Sequence, residues 1–242
     1  MTAATKLGVV TGVTSGIGLA TTKRLIASGV AVIGLGRNED RLRRLTDELG
    51  PAFSPIKCDL GSAVDRAECA RALRAMGRGI DLFVSNAGEC VFESPLEVEP
   101  ERLRRLFDVN VCAPLELCRA LSSHFVRGAH FVQISSVTAR FMPSAKYGPY
   151  AASKVASERL TEALRHELQP RGVKVSLVVP GLVDTPIYEK VAGFEETRAK
   201  LEKHVSPWLS AEDVADTILW MTTRPAHVVV SELVLFPNQQ TR

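Results

Sequence analysis

Short runs of β-branched and aliphatic residues alternate with longer stretches whose apolar positions recur every three or four residues. The runs at 7–11, 30–35, 54–58, 80–85, 130–135, 173–179 and 228–235 read as about seven strands. Helix-length segments between them require crossover connections, so the pattern predicts an α/β fold, a doubly wound, mostly parallel sheet with helices on both faces. The runs are apolar at nearly every position, as strands covered on both sides should be. Helix starts are also legible. Asn38 precedes Glu39 and Asp40, and Ser210 precedes Glu212 and Asp213, each a cap followed by acids where the helix dipole favours them. One long helix is predicted over 101–127, on the spacing of Leu103, Leu106, Val109, Ala113, Leu117 and Leu121, with Pro114 interrupting it; a second is predicted over 149–169.

The first strand runs into Thr11-Gly12-Val13-Thr14-Ser15-Gly16-Ile17-Gly18 and then a helix. Glycines at this junction allow a tight turn, close approach of the backbone to a pyrophosphate and close helix–sheet packing, the Rossmann-type arrangement for a dinucleotide. An acid at the end of the second strand would accept hydrogen bonds from a ribose 2′-hydroxyl and repel a 2′-phosphate. Gly36 and Arg37 stand there instead. A guanidinium suits phosphate, so the reading favours NADP (NADPH) over NAD, with Asn38 as a second contact.

The Gly-x-x-x-Gly-x-Gly spacing resembles the phosphate loop of the short-chain dehydrogenase/reductase family, and further motifs of that family follow in order along essentially the whole chain. The resemblance implies adenine contact by Asp59 and Leu60. It gives Asn86-Ala87-Gly88 the role of steadying the central sheet, although Ser85 replaces the first Asn of that motif. Pro180-Gly181, with Val183 and Thr185, would hold the nicotinamide carboxamide. The tail 224–237 is similar to a branch containing 3-hydroxy acid (serine) dehydrogenases and clavulanate-pathway aldehyde reductases.

The chemistry lies in Tyr150 and Lys154, four residues apart and so on one helix face. A neighbouring ammonium favours the phenolate and draws the tyrosine pKa down toward the working pH. The resemblance assigns Ser136 to the substrate oxygen, Tyr150 to proton transfer, Lys154 to the ribose and the tyrosine, and Asn110 to a water beside the lysine. Ser135 should face the other side of its strand, and Tyr147 has Ala151 where a lysine would be needed. Pro114 has no amide hydrogen, so the Asn110 carbonyl should lack its helical partner. Pocket candidates are Glu89, Cys90, Val91, Phe92, Val137, Thr138, Phe141, Met142, Leu182 and Tyr188. Arg140 is either a handle for a substrate carboxylate or a surface residue.

Composition adds limits. The 242 residues read as one catalytic domain, 1–242, with a substrate lid at about 186–206 that either covers the pocket or packs on its own body. A net charge of +3 and an interrupted basic cluster argue against nucleic acid, and no stretch reads as a membrane span or export signal. Five cysteines without a CxxC pair point to reduced thiols in the cytoplasm, and the scattered histidines to no metal. The expected function is NADP(H)-dependent hydride transfer between the nicotinamide and a small to medium-sized carbonyl or secondary alcohol. The expected assembly is a homo-oligomer, tetramer or dimer, formed through the two long helices. A non-redox isomerase or dehydratase, or a non-catalytic nucleotide sensor, are the rival readings on the same fold.

Overall fold

The computed structural model describes residues 5–189, 191 and 194–240. Seven parallel strands form one sheet: β1 (Leu7–Thr11), β2 (Ala31–Gly36), β3 (Phe53–Lys57), β4 (Ile80–Ser85), β5 (Phe125–Ile134), β6 (Lys174–Pro180) and β7 (Glu232–Leu235), ordered β3-β2-β1-β4-β5-β6-β7. The helices between them are α1 (Gly16–Ala27), α2 (Glu39–Leu49), α3 (Ala63–Ala75), α4 (Pro100–Phe107), α5 (Ala113–Leu121), α6 (Gly148–Leu168), α7 (Phe194–Glu202) and α8 (Ala211–Thr222). No helix among the described residues is long and apolar enough to cross a membrane.

Each face of the sheet has its own core. On one side Val10, Val32 and Val84 of the strands meet Leu25 of α1, Leu42 of α2 and Ile218 of α8. On the other, Val9, Ile33 and Phe83 meet Leu73 of α3 and Leu117 and Leu121 of α5. Apolar side chains alternating along the central strands thus feed two layers, which is why those strands read as unbroken hydrophobic runs. The edges do not obey this. β3 buries only Phe53 fully and β7 buries no residue fully, because an edge strand has one flank in solvent.

Strand order reverses between β1 and β4, so the connections leaving their carboxyl ends diverge and open a crevice, where ligands of such sheets bind. The predicted 101–127 helix is corrected in two respects. It is divided by a π-helical turn at Asp108–Cys112, with the Ala113 amide donating to the Asp108 carbonyl, so Pro114 is accommodated by widening one turn. It also ends at Leu121, and Phe125 to Gly128 belong to β5.

Candidate active site

A cleft of about 850 Å³ lies along the carboxyl edge of the sheet, with the glycine turn at one end and α6 at the other. Gly12 takes φ 74°, and a Cβ there would come within 3.0 Å of the Ala87 Cα. Gly18, in the first turn of α1, lies so near β1 that its Cβ would stand 2.3 Å from the Gly12 carbonyl. The turn therefore demands glycine on steric grounds. Helix α1 opens at Gly16 behind Ser15, whose hydroxyl makes no capping bond, and Ser15, Gly16 and Ile17 line the cleft, so the uncapped start of the helix lies at its wall. Donors, a helix dipole and the absence of side chains fit the pyrophosphate of a dinucleotide.

Thr11 joins this turn to the next strand. Its hydroxyl accepts from the amides of Asn86 and Ala87, each at 2.9 Å, and the Asn86 side chain donates to its carbonyl at 2.9 Å. At the adenosine end, Asn38 caps α2 by accepting from the Arg41 amide at 2.9 Å. The Arg41 guanidinium donates to the Thr14 carbonyl at 3.0 Å. Arg37 Nη1 donates to Glu89 Oε1 at 2.9 Å. Asp59 is gripped by Arg105 at 3.0 and 3.2 Å and by the Gly61 amide at 3.0 Å. Burial would push the Asp59 carboxyl up, but these hydrogen bonds outweigh it and hold the group below its ordinary value.

At the opposite end, β5 carries Ser136 two residues beyond its last, Ile134, and α6 carries Tyr150 and Lys154. The Ser136 hydroxyl accepts from the Thr138 hydroxyl at 3.0 Å. Lys154 is buried, with Nζ donating to the Ile134 carbonyl at 3.0 Å and standing 5.7 Å from the Tyr150 ring centre. Burial pulls Lys154 down to about 8, against the opposing influence of Cys90 and Glu158. Burial likewise raises the Tyr150 phenol well above its ordinary value, Cys90 and Tyr188 adding to it and the Ser136 hydroxyl opposing it. The expected lowering by the ammonium is thus corrected: in a site this dry, desolvation dominates the protein's own electrostatics.

Asn110 sits in the π turn, and its side chain is fully used. Oδ1 accepts from the Glu89 amide at 2.9 Å, while Nδ2 donates to the Glu89 carbonyl and the Ser153 hydroxyl, each at 2.9 Å. Gly88 lies between Asn110 and Lys154; a Cβ on it would be 3.3 Å from Asn110 Oδ1 and 3.5 Å from Lys154 Nζ.

Gly12, Thr14, Ser15, Gly16, Ile17, Arg37, Asn38, Asp59, Leu60, Asn86, Ala87, Gly88, Ser136, Tyr150, Lys154, Pro180, Gly181, Val183 and Thr185 all line this one cleft, although they come from six strand ends and from α6. Gly18 and Asn110 stand behind its wall. Of the pocket candidates, Glu89, Cys90, Val91 and Tyr188 line it, whereas Thr138, Phe141 and Met142 border a separate shallow pocket beside α6. Phe92 instead meets Tyr147 and Phe194 edge-on. The Ser135 hydroxyl is given to Glu158 at 2.6 Å. Arg140 pairs with Glu232 at 2.7 Å and lies 3.7 Å from Glu158, so its charge is spent away from the cleft. In the lid region, whose residues 190, 192 and 193 lie outside the described ones, Tyr188 stacks on Phe194 at 4.2 Å and meets Trp208 edge-on. Sequence reasoning missed Arg41 and Arg102, both lining the cleft. Arg41 had left a signal, a cation in the first turn of a helix, where the dipole disfavours it.

Known proteins share this fold. The short chain dehydrogenase family model matches residues 6–196. Serine 3-dehydrogenase of Agrobacterium fabrum is 32% identical over 236 residues, covering 96% of this chain and 94% of its own. Among solved structures, the closed form of a serine dehydrogenase complexed with NADP+ superposes with a TM-score of 0.89 at 30% identity, over 98% of this chain and 96% of that one. A Burkholderia cenocepacia short chain dehydrogenase in complex with NADP gives 0.85 at 28% identity, over 96% of each chain. The chain belongs to the short-chain dehydrogenase/reductase family of oxidoreductases.

Proposed function

We propose that this protein is an NADP(H)-dependent oxidoreductase acting on a carbonyl or secondary alcohol of a small to medium-sized substrate. The observation that carries the reading is the convergence of Ser136, Tyr150 and Lys154 on one end of a cleft whose other end is a phosphate-shaped glycine turn. The bound nicotinamide supplies or accepts the hydride. Everything else falls to the chain. The Ser136 hydroxyl holds the substrate oxygen, and Tyr150 Oη gives that oxygen a proton in reduction or takes it in oxidation. Lys154 stands beside the phenol and stabilises it when it carries charge. Asn110 anchors Glu89 and Ser153 and so fixes the wall behind the lysine. Arg37 and Arg41 at the adenosine end, with no acid at the end of β2, support NADP over NAD.

The serine dehydrogenase relatives make 3-hydroxy acids the first substrates to test, beside aldehydes and ketones. We further propose a homo-oligomer, tetramer or dimer, built through α4–α5 and α6, where Ala152 and Val155 are exposed. The unpaired cysteines suit a reducing, cytoplasmic setting.

Loss of NADPH absorbance on addition of carbonyl compounds tests the reaction. Tyr150→Phe should lower turnover by about 10²–10⁴-fold while leaving the NADPH dissociation constant unchanged. A variant that keeps more than roughly a tenth of the wild-type rate removes the proton role from Tyr150.

A further inference from the structure

Glu89 directly follows Gly88, yet its side chain serves the far end of the cleft. Both sides of its backbone are clamped by Asn110. From that fixed base, one carboxylate oxygen accepts from Arg37 Nη1 at 2.9 Å and from Arg105 Nε and Nη2 at 3.2 and 3.1 Å. Arg105 in turn holds Asp59. Four charges thus alternate in a row, Arg37, Glu89, Arg105 and Asp59, and the row is neutral. Arg37 and Glu89 are only partly buried, at 48% and 25% side-chain exposure, so their pairing is open to competition. Arg41 makes no ion pair among the described residues, and its guanidinium bond goes to a carbonyl.

We propose that Glu89 is a specificity-determining residue: its carboxylate competes with the 2′-phosphate of NADPH for Arg37 and so limits the preference for NADPH over NADH. The inference rests on the NADP reading above. A phosphate approaching Arg37 meets a fixed negative charge already bound to it, and must share or displace it. A ribose 2′-hydroxyl carries no charge, so the carboxylate does not repel it and can only accept its hydrogen bond, a role that a glutamine amide oxygen also fills. The pyrophosphate is common to both cofactors, so its repulsion cancels in their ratio. A carboxylate that β2 does not provide is thereby supplied from the loop after β4.

Dissociation constants of NADPH and NADH, read by cofactor fluorescence on the full chain, test this for wild type, Glu89→Gln, Arg37→Ala and the double variant. Glu89→Gln should tighten NADPH about three- to tenfold and move NADH by less than about twofold. That gain should shrink in the Arg37→Ala background, because competition needs the shared cation. It should also fade as salt is raised. Glu89→Ala, which removes the carboxylate without adding an amide, should give the same sign. Weaker NADPH binding in both Glu89 variants, or equal shifts for the two cofactors, overturns the proposal. The wild-type ratio of the two constants tests the NADP reading separately: a chain that holds NADH as tightly as NADPH overturns that reading, while the direction in which Glu89→Gln moves the ratio still decides the role of Glu89.

Discussion

Replacing Lys154 by Met should make the protein more stable near neutral pH while removing its activity. Burial holds the lysine at about 8, well below its ordinary ~10.4, so the fold binds this proton more weakly than the unfolded chain does. Below about pH 8 the lysine is charged in both states and the whole penalty acts, of order 3 kcal/mol. Between about 8 and 10.4 the fold releases the proton, the unfolded chain keeps it, and the penalty fades; stability from this group therefore rises with pH. Methionine has no charge to desolvate, but it leaves the Ile134 carbonyl without its donor, at a cost of about 1–3 kcal/mol. The net gain at about pH 7 is then roughly 0–2 kcal/mol, or a Tm raised by up to about 8 °C for a chain of this size. Paired thermal melts of wild type and Lys154→Met across the neutral to alkaline range measure it, and other titrating groups cancel in the difference. The reasoning fails if the methionine variant melts below wild type near neutrality, or if the gap stays constant as pH rises.

Other variants probe other joints of the site. Gly18→Ala places a Cβ 2.3 Å from the Gly12 carbonyl, so it should lower stability by about 1–3 kcal/mol despite alanine's better helix propensity; a raised Tm would contradict the steric reading. Asn110→Ala strips three hydrogen bonds from the Glu89 peptide and Ser153, and should cost about 2–4 kcal/mol in denaturant melts together with a slower turnover. Arg41→Ala should weaken NADPH about three- to tenfold with little effect on NADH, and equal losses in fluorescence titrations would place Arg41 outside the phosphate site.

The glycine turn and the Tyr150–Lys154 pair were legible because each is local: a few consecutive residues determine the turn, and four residues of helix determine the pair. The central strands were legible because two buried faces leave no polar position to confuse the pattern. Where pairing is irregular, the pattern failed. Arg127 and Gly128 are exposed within β5, Gly128 takes φ 91°, and the register against β4 shifts between Ile80 and Leu82, so the strand's start was read as helix. The spending of Arg140 on Glu232 and of Arg37 on Glu89 joins residues 92 and 52 positions apart, and neither leaves a periodic trace. The opposed effects on the Tyr150 phenol could not be ranked from spacing either, since dryness is a property of the assembled cleft.

The widened turn between α4 and α5 lets one stretch of chain serve two masters. Upstream of it, Leu106 joins Val91 and Tyr150 in a small apolar group beneath the reaction centre. Downstream, Ala113, Leu117 and Leu121 press onto the sheet. An uninterrupted α-helix would keep one phase throughout; the extra residue offsets the halves by about 100°, letting each point at its own neighbour. Asn110 rides at that phase slip. Deleting a single residue there would force the segment to choose between upholding the sheet and upholding the phenol.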